Sequence, residues 1–355
     1  MNASRRGTPR WEEKPMSSTH PVAHEEISPA LLVDAMFAFR KTAAIKAAIE
    51  FDLFTKLGGE GRTATILASE LGCAERGVRI LCDFLVVSGF LTKSGETYGL
   101  TPSSQIFLDR RSPAYMGAAI DFLASPQMVS LFLDDPAAYV RNGGSVGLAN
   151  VAPDNPIWVK FARAMGAFTG ASAKAVASDV ATWSKPPSKV LDIAAGPGAF
   201  GIEIAKVSPS ASVVALDWKP VLAVTEENAT NAGVVARFTF QPGSAFDVDW
   251  GSGYDLILLP NFLHHFDVDG CVTLLKKARA SLVPGGRVAI VEFVPNEDRV
   301  SPEFPAAFAM VMLATTPKGD AYTERELADM AKSAGFPDVV TKPLPPSPAS
   351  LIFLE

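Results

Sequence analysis

Glycines and carboxylates at fixed spacing carry the first chemical signal in this chain. In Lys189-Val-Leu-Asp-Ile-Ala-Ala-Gly-Pro-Gly-Ala-Phe-Gly201 an acidic residue ends an apolar run, and a glycine turn then opens a helix. Gly196, Gly198 and Gly201 satisfy the G-x-G-x-x-G spacing that brings a backbone close to a nucleotide cofactor. A pyrophosphate would sit at the helix N-terminus, where Asp192, four residues before the first glycine, would repel it. A carboxylate in that place suits a cation, and S-adenosyl-L-methionine presents a sulfonium and an ammonium where dinucleotides present phosphates. Asp217 ends the next apolar run, nineteen residues after Gly198 (217 − 198), where a ribose-binding acid belongs. Alone, the glycines would equally serve a tight strand-to-helix turn.

These groups need a sheet to hold them. Strand candidates follow at Arg237-Phe-Thr-Phe-Gln241, at Tyr254-Asp-Leu-Ile-Leu-Leu-Pro260 and after the Pro284-Gly-Gly turn up to Glu292, with Gly243-Ser-Ala-Phe-Asp247 as a loop. Strands alternating with helical stretches predict an α/β fold: a parallel, doubly wound, Rossmann-like sheet with its site at the strands' carboxyl ends. Residues 339–342 and 350–354 read as two final strands. Upstream, residues 31–54 have apolar positions at helical spacing, 65–91 read as helix, turn, helix closed by Gly89, and 93–100 as a hairpin. That is the outline of a winged helix. The expected division is a disordered extension at 1–27, a mainly helical winged-helix-like domain at 28–110, a helical linker and roof at 111–180, and a catalytic domain at 181–355. Gly143-Gly-Ser-Val-Gly147 is the clearest flexible loop in the linker.

Composition narrows the function. At 355 residues and 48% apolar content the chain supports two well-developed cores. Its net charge of −6 gives no reason to bind nucleic acid or an anionic membrane. The helix over 74–87 balances Glu75 and Asp83 against Arg76 and Arg79, whereas groove binding calls for a basic face. Apolar stretches are too short to span a bilayer. Cys73, Cys82 and Cys271 have no C-x-x-C spacing, so no metal site or disulfide framework is indicated and a reducing cytoplasm fits.

The ordered motifs resemble the class I S-adenosylmethionine-dependent methyltransferases. Asn261-Phe-Leu-His-His-Phe-Asp-Val-Asp-Gly-Cys271 is similar to the Leu-His-Asp-Trp-x-Asp-x-x-Cys stretch of plant caffeate and acetylserotonin O-methyltransferases and their bacterial relatives. Met312-Leu-Ala-Thr-Thr-Pro-Lys-Gly-Asp-Ala-Tyr-Thr323 looks like the family's Met-Leu-Ala-x-x-x-x-Gly-x-Glu-Arg-Thr, and Ala-Gly-Phe336 follows as usual. The resemblance implies methyl transfer to a small hydroxylated, aromatic acceptor, leaving S-adenosyl-L-homocysteine, with no metal. It makes His264 the general base, a role suited to an imidazole at neutral pH, and Glu292 its orienting carboxylate. His265 stands where relatives have Asp and ranks as a secondary polar residue. The cofactor set is Asp192, Gly196, Gly198, Asp217, Trp218, Ser244, Ala245, Phe246 and Asn261. The acceptor pocket would draw on Phe161, Met165, Phe308 and Met312. Family members pair through the N-terminal domain, which implies a homodimer. Two departures stand out: Ala321 occupies the place of a second flanking glutamate, with Asp320 beside it, and Ser244 the place of an adenine-binding acid.

Overall fold

The computed structural model describes residues 27–59, 61–147 and 152–355. The extension expected at 1–27 lies, save Ile27, outside the described residues. The helix expected over 31–54 is divided into Ala30–Phe37, Phe39–Glu50 and Leu53–Leu57. Asp52, at φ 56°, supplies the left-handed turn that separates the last two. Helix Ala64–Leu71 is capped by Thr63, whose hydroxyl accepts from the Ile66 amide, and helix Glu75–Val87 follows. Strands β1 (Arg62–Thr63), β2 (Leu91–Ser94) and β3 (Thr97–Leu100) form a sheet in the order β1-β3-β2. Leu53, Phe54, Leu67, Leu85 and Tyr98 fill its core. Asp83 accepts from Arg79, Lys93 and Tyr98, so the charge of the middle helix is spent inside the domain.

The second domain is a seven-stranded sheet of β4 (Lys189–Ile193), β5 (Ser212–Asp217), β6 (Phe238–Pro242), β7 (Tyr254–Pro260), β8 (Leu282–Glu292), β9 (Val339–Pro343) and β10 (Ser350–Leu354). The order is β6-β5-β4-β7-β8-β10-β9. The first five strands run parallel, as the alternation predicts, but β10 is antiparallel to both β8 and β9. Only residues 344–349 separate β9 from β10, too few for the crossover that a parallel pair needs, so the chain turns back as a hairpin. Strands such as Leu256-Ile-Leu-Leu259 are apolar on both faces because helices cover both. Leu274, Leu275, Leu327 and Met330 pack on one side, and Val176, Val180 and Ile204 on the other.

Helix Pro156–Val180 joins roof to sheet. Asn155 caps it by accepting from the Ile157 amide, Pro156 fits its first turn, and its 25 residues reach roughly 38 Å. Its start packs on Phe122 and Met128, its end on the sheet. Because the five parallel strands share one direction, Asp192, Asp217, Pro260 and Glu292 all reach the same rim.

Candidate active site

Three left-handed residues after β4, Ala194 (φ 52°), Gly196 (φ 55°) and Gly198 (φ 77°), reverse the chain into helix Ala199–Val207. A Cβ on Gly198 would lie 2.6 Å from Thr225 Cγ2, and one on Gly201 would lie 2.8 Å from Asp192 Oδ2. Both glycines are therefore required by the turn's own packing. Gly196 differs, since a Cβ there meets nothing nearer than Ala194 O at 3.8 Å. Its amide donates to Asp217 Oδ2 at 2.8 Å and its carbonyl accepts from Thr225 Oγ1 at 2.8 Å.

Beside this turn opens a cleft of about 150 Å³. Asp217 and Trp218 form one wall with Ala194 and Leu216, Gly243 to Phe246 a second, and Phe262 with Phe266 a third. Asp217 Oδ1 accepts from the Trp218 amide at 2.6 Å, while burial pushes its carboxyl up to about 6 against these two amide donors. The lining contains no lysine or arginine. A carboxylate, three phenylalanines and an indole, without a cation, fit a ribose and a flat base and leave a pyrophosphate without a counter-charge.

Asp192 does not line this cleft. It is fully buried beneath the turn, where Oδ2 accepts from the Gly201 amide at 3.0 Å and Oδ1 has no partner. Burial, reinforced by nearby Asp217, pushes its carboxyl up to about 8. The direct contact with a cationic ligand expected from the sequence is thus replaced by a place under the helix start, made available by the missing side chain of Gly201. Ser244 lines the cleft, but its hydroxyl already accepts from the Phe246 amide at 3.2 Å. Asn261 is a turn residue, with φ 53° and an amide donating to Val291 O at 2.7 Å.

That turn delivers Leu263–His265 as a short 3-10 helix at the rim. The Nδ1 of His264 lies 2.6 Å from Glu292 Oε2, with the two residues only 5% and 4% exposed. Glu292 Oε1 accepts three successive amides, from Phe262 (3.0 Å), Leu263 (2.9 Å) and His264 (3.3 Å). An ionised carboxylate only accepts, so Nδ1 carries the proton and Nε2 holds the lone pair. Phe308 meets the imidazole edge-on at 4.9 Å. The ring of His265 is 4.4 Å from that of His264, and neither of its nitrogens has a protein partner among the described residues. Burial, then the neighbouring His264, hold the His265 pKa well below the usual value, so this ring is neutral.

The remaining expected residues are dispersed. Phe161 packs on Phe122 at 5.2 Å in a cluster that also holds Met165 and Met128, in the roof. Met312 is buried, 3% exposed, inside the roof helix Glu303–Thr315. Asp320 faces Arg299 at 3.4 Å and accepts from the Ala321 amide, so it does not supply a second carboxylate to His264. Ala321 is itself buried. Residues 143–147, expected to be a flexible loop, are tied down: the Ser145 amide donates to Thr316 O (2.9 Å) and its hydroxyl to Ala314 O (2.6 Å). A Cβ on Gly144 or Gly147 would collide with the carbonyls of Pro317 or Thr315, so close approach explains these glycines. The sequence reading missed Phe262 and Phe266 as cleft residues, although their four-residue spacing about His264 was a signal. Phe266 meets both Phe262 (5.0 Å) and Phe246 (4.9 Å) edge-on.

A family model described as the O-methyltransferase domain matches residues 135–337, and one described as the O-methyltransferase dimerisation domain matches residues 33–110. A solved structure from Nostoc punctiforme, described provisionally as an O-methyltransferase, is 44% identical, with a TM-score of 0.88 over 93% of this chain and 99% of that one. The tetracenomycin polyketide synthesis 8-O-methyl transferase of Streptomyces glaucescens is 27% identical over 88% of this chain and 93% of its own length. The 3-hydroxy-5-methyl-1-naphthoate 3-O-methyltransferase of Streptomyces sahachiroi is 27% identical, over 88% and 91%.

Proposed function

This chain belongs to the O-methyltransferase family with an N-terminal dimerisation domain, S-adenosylmethionine-dependent enzymes that act on small molecules, and from that premise we propose that it methylates an oxygen of a small hydroxylated aromatic acceptor with His264 as general base. The observation that carries this reading is the Glu292–His264 pair, which fixes an imidazole with its basic nitrogen free at the rim of the cofactor cleft. The cofactor supplies a methyl group already activated on sulfonium. Asp217 receives the ribose hydroxyls, and Trp218 and Phe246 pack against ribose and adenine. His264 Nε2 accepts the acceptor's hydroxyl proton, while Glu292 holds Nδ1–H and balances the imidazolium that results. Orientation of the acceptor towards the methyl provides several kcal/mol of the acceleration. His265, neutral and unpartnered, offers the acceptor a hydrogen bond and leaves proton removal to His264.

The two Streptomyces relatives act, by name, on a polyketide and a hydroxynaphthoate, which supports an aromatic acceptor. The apolar helix Ala30–Phe37, with Leu31 82% and Met36 61% exposed, supports a homodimer through the N-terminal domain. Mass spectrometry of products from a panel of phenols, thiols and ring carboxylates tests the reading. Methyl ethers should form, and His264→Ala should lower turnover about 10²–10⁴-fold with cofactor affinity retained. Ala321, standing where relatives carry the second carboxylate, favours one alternative, methylation of a thiol or carbon that needs less help in losing its proton. Near-normal turnover in His264→Ala would select it.

A further inference from the structure

The turn that walls the base-binding end of the cleft carries no carboxylate of its own facing it, and what holds it in shape lies behind it. Lys277, on helix Val268–Ser281, donates from Nζ to the carbonyls of Ala245 (2.7 Å), Phe246 (2.9 Å) and Val248 (3.0 Å). An ammonium has three donors, and all three are used on one turn. Trp250 Nε1 adds a second bond to Ala245 O at 2.9 Å, and the Trp250 ring lies 5.1 Å from the ammonium. Burial lowers the Lys277 pKa, while Asp247 and Asp249 act to raise it.

Three carbonyls drawn to one cation fix the orientation of every peptide in the turn. Its opposite face, carrying the Phe246 ring, is thereby presented to the cleft. The amide of Ala245, a cleft-lining residue, donates to no protein group among the described residues, so it is a directed donor without a partner. We propose that Lys277 is a positioning residue for the cofactor: without touching it, Lys277 sets the affinity for the adenosyl group by holding residues 245–248 in their binding shape. Nothing in this depends on which acceptor is methylated.

The test compares wild type, Lys277→Met and Lys277→Arg by calorimetry with S-adenosylhomocysteine and with adenosine, and by hydrogen exchange of the cofactor-free proteins. Lys277→Met should weaken both ligands about tenfold or more and speed exchange at the amides of 245–248. At saturating cofactor, kcat and the acceptor KM should stay within about threefold of wild type, and Lys277→Arg, which keeps charge and donors, should recover most of the affinity. Unchanged S-adenosylhomocysteine affinity in Lys277→Met overturns the proposal, as does a loss that spares adenosine. If Lys277→Met does not fold, Lys277→Gln carries the same test with the same outcomes. Failure of the wild-type protein to bind S-adenosylhomocysteine would instead strike at the cofactor itself.

Discussion

Glu292→Gln separates the tautomer argument from mere packing, because the new side chain has the same shape and a different hydrogen-bonding logic. Glu292 Oε1 faces three amide donors, a position that only an oxygen can fill. The carbonyl oxygen of glutamine must therefore stay there, which turns its NH₂ group towards His264 Nδ1, where Oε2 now lies at 2.6 Å. Nδ1 then becomes the acceptor, the proton moves to Nε2, and the lone pair that removes the acceptor's proton is gone. Working through the minor tautomer opposes two buried donors and forfeits a charge-assisted bond of about 1.5–3 kcal/mol, besides leaving the imidazolium unbalanced. Together these cost about 4 kcal/mol, or roughly 10³-fold in kcat, comparable with the loss of about 10⁴ when the Asp of a serine-protease triad is made Asn. Steady-state kinetics on the methylated acceptor measure it, with calorimetry expected to show S-adenosylhomocysteine binding unchanged. A Glu292→Gln enzyme that keeps kcat within about tenfold of wild type would refute the tautomer argument, since the amide cannot serve both sets of partners.

Asp217 gives cofactor affinity a pH dependence. Its carboxyl, raised to about 6 by burial, must be ionised to receive the ribose hydroxyls, so S-adenosylhomocysteine should bind more tightly as pH rises to about 6 and level off above it. Asp217→Asn should flatten that profile and weaken binding by about 1–3 kcal/mol; an unaltered profile by calorimetry speaks against the role. Asp192, raised to about 8, favours the folded state most when protonated: its contribution is complete below the ordinary carboxylate pKa and is lost progressively as pH rises to about 8. Thermal unfolding of the cofactor-free protein should therefore show Asp192→Asn gaining on wild type between pH 6 and 8, and parallel curves would show that burial is not what governs this group. Light scattering should give a dimer mass, and replacing Leu31 and Met36 by charged residues should give a monomer; a wild-type monomer at micromolar concentration ends the homodimer proposal.

The parallel half of the sheet was legible because each strand is a short apolar run bounded by turn residues, and such runs alternate with helical periods. β5, β7 and β10 match the sequence reading residue for residue. β1 escaped it because two residues, Arg62 and Thr63, carry no periodicity, and their pairing with β3 is a matter of proximity alone. The breaks in the first long helix escaped for another reason. Asp52 is no stronger a helix breaker than many residues that stay helical, and its left-handed conformation is imposed by packing of Leu53 and Phe54 into the core.

At the site, the pairing of His264 with Glu292 rested on the resemblance, since nothing in a separation of 28 residues says that two side chains touch. Lys277 and the tethered Ser145 were invisible for the same reason, because each acts on a carbonyl far away in the chain and carbonyls have no signature in a sequence. The glycine turn shows the opposite case, a pattern that was easy to read and whose cause lay elsewhere. Gly198 and Gly201 are excluded from carrying a side chain by Thr225 and Asp192, contacts that would be present whatever the cleft held. Their spacing therefore reports a tightly packed strand-to-helix turn and cannot by itself choose between dinucleotide and sulfonium. Asp192 cannot choose either, since it is sealed under the helix and favours its protonated form. The discrimination rests on the cleft surface: Asp217 positioned by two amides, aromatic walls, and no basic side chain to meet a pyrophosphate.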